Sequence, residues 1–195
     1  MLPTDSLRSR RSAARGFTLV EVMIGSTISV VVLAGVLTAF LMMGRSGYNA
    51  ANYSVMEAEA RRALETFSSD ARMANNITWN SANSITLRVV TTGAPQLVTY
   101  AYDTSTSGST AQCFYRVLGT ASSTATRLVL VRNVSDFAFR RYKVINGVDY
   151  TANNDLETKQ IQITLRSVRT GATTVAATNA VLSARVVLRN KVVTT

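Results

Sequence analysis

The chain has 195 residues, 47% of them hydrophobic, and its 21 Lys and Arg against 11 Asp and Glu give a formal charge of +10. It contains no histidine and a single cysteine, Cys113, which excludes Ser-His-Asp and Cys-His nucleophile systems, His-based zinc motifs, a thiolate metal site and an intramolecular disulfide. Its glycines are scattered without GxGxxG or GxxxxGK spacing, so there is no nucleotide signal, and no cofactor or metal is expected.

Taken in chain order, the first segment is a basic leader, residues 1–16, with Arg8, Arg10, Arg11 and Arg15 against only Asp5. By the positive-inside rule it stays cytoplasmic and the chain beyond Gly44 lies outside. Next comes Arg15-Gly16-Phe17-Thr18-Leu19-Val20-Glu21, followed by a charge-free stretch over 22–44. That stretch is about 23 residues, long enough at roughly 1.5 Å per residue to cross a hydrocarbon core as a helix. A secretory h-region is only about 7 to 15 residues and ends at a small-residue cleavage site, so this run reads as a retained span. Glu21 is its one carboxylate. An ionised acid inside a span costs on the order of 3 kcal/mol on insertion scales, so it needs a partner or a task.

These residues resemble the class III signal of type IV pilins and type II secretion pseudopilins. The resemblance implies cleavage by a prepilin peptidase between Gly16 and Phe17, N-methylation of Phe17, and retention of the apolar helix in the mature protein. It also implies an assembly role for Glu21, which in family members is thought to neutralise the terminal amine of a neighbouring subunit. The chain lacks the disulfide of many major pilins and the proline that kinks their membrane helix, since Pro3 and Pro95 are its only prolines.

Residues 45–75 read as the amphipathic second half of one long helix. Ala51, Val55, Met56, Ala60, Ala63, Leu64, Phe67, Ala71 and Ala74 recur mostly at spacings of three and four, which marks one face. Glu57 with Arg61, and Arg61 with Glu65, are i,i+4 pairs on the opposite face. Gly44 and Gly47 fall at the membrane exit, and Asn75-Asn76 is the expected terminus, with asparagine in the left-handed position.

Residues 76–195 are rich in Val, Thr, Ile and aromatics divided by Ser/Thr/Gly clusters, the pattern of a β domain. Strands are expected over 84–90, 96–102, 112–118, 127–131, 135–145, 159–168 and 180–188. Ile161-Gln162-Ile163-Thr164-Leu165-Arg166 alternates strictly, and Phe137 and Phe139 share a face. Asn146-Gly147 is a two-residue hairpin turn that pairs 143–145 with 148–150. Asp149, Asp155 and Glu157 lack the spacing of a calcium loop and read as a solvated loop. A helix with one apolar face buries it most simply against an antiparallel sheet. The fold class is therefore α+β, and the resemblance implies that it is pilin-like: a long N-terminal helix, membrane-spanning in its first half, packed on a C-terminal antiparallel β-sheet domain.

The stretch from Arg132 to Tyr142 and the ending Ala184-Arg185-Val186-Val187-Leu188-Arg189-Asn190 resemble the larger minor subunits, PilW-like minor pilins and the J-type pseudopilin. The resemblances together imply a non-catalytic minor subunit of a type IV pilus or type II secretion pseudopilus, with a tip or priming role. Its partners would be prepilin peptidase, other pilin or pseudopilin subunits and the assembly platform in the inner membrane. It would be a single-pass inner-membrane protein before assembly.

Charge keeps a second function open. Removing the leader's net of +3 from +10 leaves +7 on the mature chain, which draws it toward anionic polymers. Arg140 and Arg141, with Tyr115, Tyr142 and Tyr150 as stacking surfaces, make a nucleic-acid site the alternative, that of a DNA-binding pilin. The competing reading of such strand arginines is protection against edge pairing. A membrane-anchored enzyme is the most distant alternative.

Overall fold

The structure is a computed structural model that describes residues 16–91, 93–168 and 179–193. The leader arginines lie outside the described residues. Helix α1 runs Leu19–Met73. It is followed by β1 Ala74–Ser81, β2 Ser84–Val89, β3 Gln96–Tyr102, β4 Phe114–Leu118, β5 Leu128–Val131, β6 Val134–Ile145, β7 Val148–Thr151, β8 Gln160–Val168 and β9 Asn179–Val187. The strands form a five-stranded sheet, β1-β2-β3-β4-β5, and a four-stranded sheet, β7-β6-β8-β9, with every pairing antiparallel. The architecture is α+β and pilin-like. The chain divides into one unit up to Arg45 and a second from Ser46 onward.

In the second unit, α1 buries Met56, Ala60, Ala63, Phe67 and Ala71. Phe67 meets both sheets, 5.1 Å edge-to-face from Tyr100 of β3 and 5.8 Å from Phe139 of β6. Phe137 and Phe139 both point inward, as their alternation predicts, and stand 4.9 Å apart. On β8, Ile161, Ile163 and Leu165 are buried and the intervening residues are not. The tight turn also forms as read: Asn146 and Gly147 both have positive φ, 51° and 80°, and Lys143 sits opposite Tyr150.

Several expectations change. Ala51 and Val55 are exposed and Asn52 is buried in their place, so the buried stripe is rotated at its upper end. The helix does not finish on a left-handed asparagine. Positive φ among described non-glycine residues occurs at Gln112, Asn133 and Asn146, whereas Asn75 and Asn76 already belong to β1. A cap is not needed there, because the Met73 carbonyl accepts a hydrogen bond from Val90 N–H at 3.2 Å. β4 starts at Phe114 rather than 112, since Gln112 is left-handed and Cys113 N–H closes a turn onto Thr110. Arg61 pairs with Glu57 at 2.6 Å, and no ion pair with Glu65 forms among the described residues.

Candidate functional site

The N-terminal site is built from Gly16 to Glu21. Gly16, Phe17 and Thr18 precede the helix and are exposed, Phe17 by 84%. A Cβ at Gly16 would meet nothing within 4 Å, so nothing in the fold itself demands glycine there.

Thr18 and Glu21 form a reciprocal cap. Glu21 N–H donates to Thr18 Oγ1 at 3.2 Å, while Glu21 Oε2 accepts from Thr18 N–H and from the Thr18 hydroxyl, both at 2.9 Å. Two N–H groups that the first helical turn leaves open are thus satisfied from within the turn. Both accepted bonds fall on Oε2, and Oε1 has no partner among the described residues. The sequence reading missed this cap, although Thr-x-x-Glu at the head of an apolar run is its signature.

Past the cap, every residue through Tyr48 is exposed. The most apolar window of α1 has a mean hydropathy of 2.2 and none of it is buried. Its polar side chains are satisfied locally. The hydroxyls of Ser26, Thr27, Ser29 and Thr38 donate to carbonyls three or four residues back, at 2.9, 2.8, 2.7 and 2.8 Å. A surface of this size and apolarity requires lipid or protein around it, and such back-bonding lets hydroxyls sit in either. Among the described residues there is no group of His, Cys, Asp and Glu fit to hold a metal.

Residues 11–37 match the prokaryotic N-terminal methylation motif. This is the prepilin-type signal of type IV pilins and pseudopilins. The motif implies processing by prepilin peptidase, and with the apolar helix it supports single-pass membrane anchoring. Proteins bearing it in this family are generally non-catalytic. No curated protein matches the chain.

The second candidate, Arg140 and Arg141, is not one cluster. The two alternate along β6, so they take opposite faces of the four-stranded sheet. Arg140 is exposed. Arg141 is bound at 2.8 Å to Asp155 and at 2.6 Å to the Asn153 carbonyl, and it lies 4.9 Å over the Trp79 ring. The tyrosines are partly occupied as well. Arg127 covers Tyr115 at 4.8 Å and Arg185 covers Tyr142 at 4.1 Å. The acidic trio pairs off, Asp149 with Arg185, Asp155 with Arg141 and Glu157 with Lys143. Lys143 holds the Glu157 carboxyl below its ordinary range.

A buried acid also escaped the sequence reading. Asp70 falls on the buried face of α1 and accepts from Tyr100 OH at 2.7 Å and from Arg116 Nε at 2.9 Å. Burial, with the Asp70 carboxylate behind it, pushes the Tyr100 phenol well above its ordinary 10.0. Burial pulls the Arg116 guanidinium down, but the hydrogen bonds and charges of Asp70 and Tyr100 together outweigh it and leave Arg116 above its ordinary range. An acid at a core position of an amphipathic pattern was the available signal; its partners lie 30 and 46 residues away, beyond the reach of periodicity.

Proposed function

We propose that the chain is a non-catalytic minor pilin or pseudopilin subunit. Prepilin peptidase removes residues 1–16, Phe17 becomes the N-methylated terminus, residues 17–44 span the inner membrane and later pack in the filament, and residues 45–75 continue the helix into a β-rich domain of 76–195 outside the cytoplasm. The observation that carries this reading is the methylation motif over 11–37 running into the apolar first half of α1, whose most apolar window has no buried residue.

Supporting geometry lies at the N-terminal end of that helix. The Gly16-Phe17 junction is exposed and outside regular structure, as a scissile bond must be to enter a peptidase. Glu21 spends Oε2 on its own helix cap and keeps Oε1 for the amine of a neighbouring Phe17. The mature charge of +7 opposes close packing of many copies and favours an occasional subunit among less basic neighbours, which supports the minor role and a place at the tip.

Terminal mass spectrometry of protein from a host with an active prepilin peptidase tests the assignment. The expected product begins at N-methyl-Phe17. An intact leader, or a cut after the apolar run, would sink the assignment. A bulky residue at Gly16 should leave the precursor uncut, because the fold tolerates a side chain there and only the peptidase would object.

A further inference from the structure

Four strands lie at sheet edges, and they are protected unequally. β1 has two register shifts, and its Trp79 N–H donates to Asp155 at 3.1 Å. β7 is four residues at a hairpin tip, and beyond it Ala152 N–H returns to the Arg141 carbonyl. β9 carries Arg185, paired with Asp149. β5 is as short as β7 and its pairing with β4 carries one register shift, but it has neither a side-chain partner for an outer N–H nor a paired charge. It reads Leu-Val-Leu-Val, without charge or proline, and no backbone group of Leu128–Val131 bonds to anything but β4 among the described residues. Leu128 is 54% exposed. An open apolar edge of this kind is a template for strand addition.

The edge borders a groove of about 250 Å³ lined by Glu59, Arg62 and Thr66 of α1 and by Leu128, Val129, Leu130 and Arg132. Arg62 and Arg132 are exposed and have no ion pair among the described residues, so they outnumber the single carboxylate of the groove. Nearby Arg127 is already committed, to Thr110 at 3.0 Å and the Tyr115 ring.

We propose that β5 receives an extended acidic segment of another polypeptide as an added strand. Main-chain hydrogen bonds to the open edge supply affinity, and alternate side chains supply specificity, apolar ones against Leu128 and Leu130 and carboxylates against Arg62 and Arg132. A second copy of this chain is a poor occupant, because even without the leader it brings a formal charge of +7 to a groove that is itself basic.

The test uses the full chain in detergent micelles and three labelled peptides: alternating valine and glutamate, alternating valine and lysine, and the glutamate peptide interrupted by proline. Fluorescence anisotropy at low and high salt reads affinity, and amide hydrogen exchange reads location. The glutamate peptide should bind at least about tenfold tighter than the lysine peptide, less so as salt rises. It should also slow exchange at Leu128–Val131. In the double variant Arg62→Glu, Arg132→Glu the ranking of the two peptides should reverse; both side chains are exposed, so the fold should be unaffected, which circular dichroism checks. Protection elsewhere than β5, an unchanged ranking in the double variant, equal binding of the proline-interrupted peptide, or no binding would each overturn the proposal. None of these readouts requires filament assembly, so their failure is distinct from failure of the pilin reading.

Discussion

The region up to Arg45 and the region from Ser46 handle polar groups in opposite ways. In the first, Thr18, Glu21, Ser26, Thr27, Ser29 and Thr38 all bond within four residues of themselves. In the second, the Asp70, Tyr100 and Arg116 side chains meet across a helix and two strands. Local satisfaction leaves a surface with no fixed partner, so the same helix can be surrounded by lipid or by other subunits. Long-range satisfaction fixes one packing arrangement and no other.

The largest difference should appear in paired truncations. Phe67→Ala removes a fully buried ring that touches both sheets and should cost about 3–5 kcal/mol. Leu33→Ala, at a side chain 67% exposed, should leave the denaturation midpoint in detergent unchanged. Equal losses would mean that the first region has a tertiary partner of its own.

That contrast also marks what the sequence made legible. The long apolar helix and the inward phenylalanines of β6 are local or periodic signals, and composition and alternation convey them. β1 was missed because Asn75-Asn76 reads as a stop; its strand state comes from pairing with β2, Ala74 opposite Val89. The exposure of Val55 and the burial of Asn52 were equally hidden, because which flank of a helix is covered depends on distant chain. Arg140 and Arg141 were adjacent in sequence, and strand alternation alone would have separated them once β6 was assigned through both.

Next in size is the acid of the apolar region. Glu21→Leu removes a carboxylate from a membrane segment, so insertion should hold or improve. On the proposed pairing of Glu21 with a neighbouring terminal amine, incorporation into sheared filaments should fall sharply, because deleting one partner of a buried ion pair costs about 3–5 kcal/mol. Thr18→Val separates the two jobs of Glu21. It deletes the cap, worth roughly 0.5–2 kcal/mol, while leaving the carboxylate in place, so incorporation should fall much less. Wild-type incorporation of a correctly cleaved Leu variant would remove Glu21 from the assembly contact.

The smallest effect belongs to the second region and is read by pH. The Tyr100 phenol is raised above its unfolded 10.0, so the folded state holds a proton that the unfolded chain releases. Stability from this group is complete below pH 10 and declines as pH rises from there toward the folded value. Tyr100→Phe keeps the ring against Phe67 and Phe114 and loses the hydroxyl bond to Asp70, a cost on the order of 1 kcal/mol at neutral pH. The variant should also lose the part of the alkaline decline that Tyr100 supplies, so the gap between the two proteins should narrow above pH 10. A gap that widens there would mean the phenol ionises readily in the folded protein, and that the bond to Asp70 does not hold its proton.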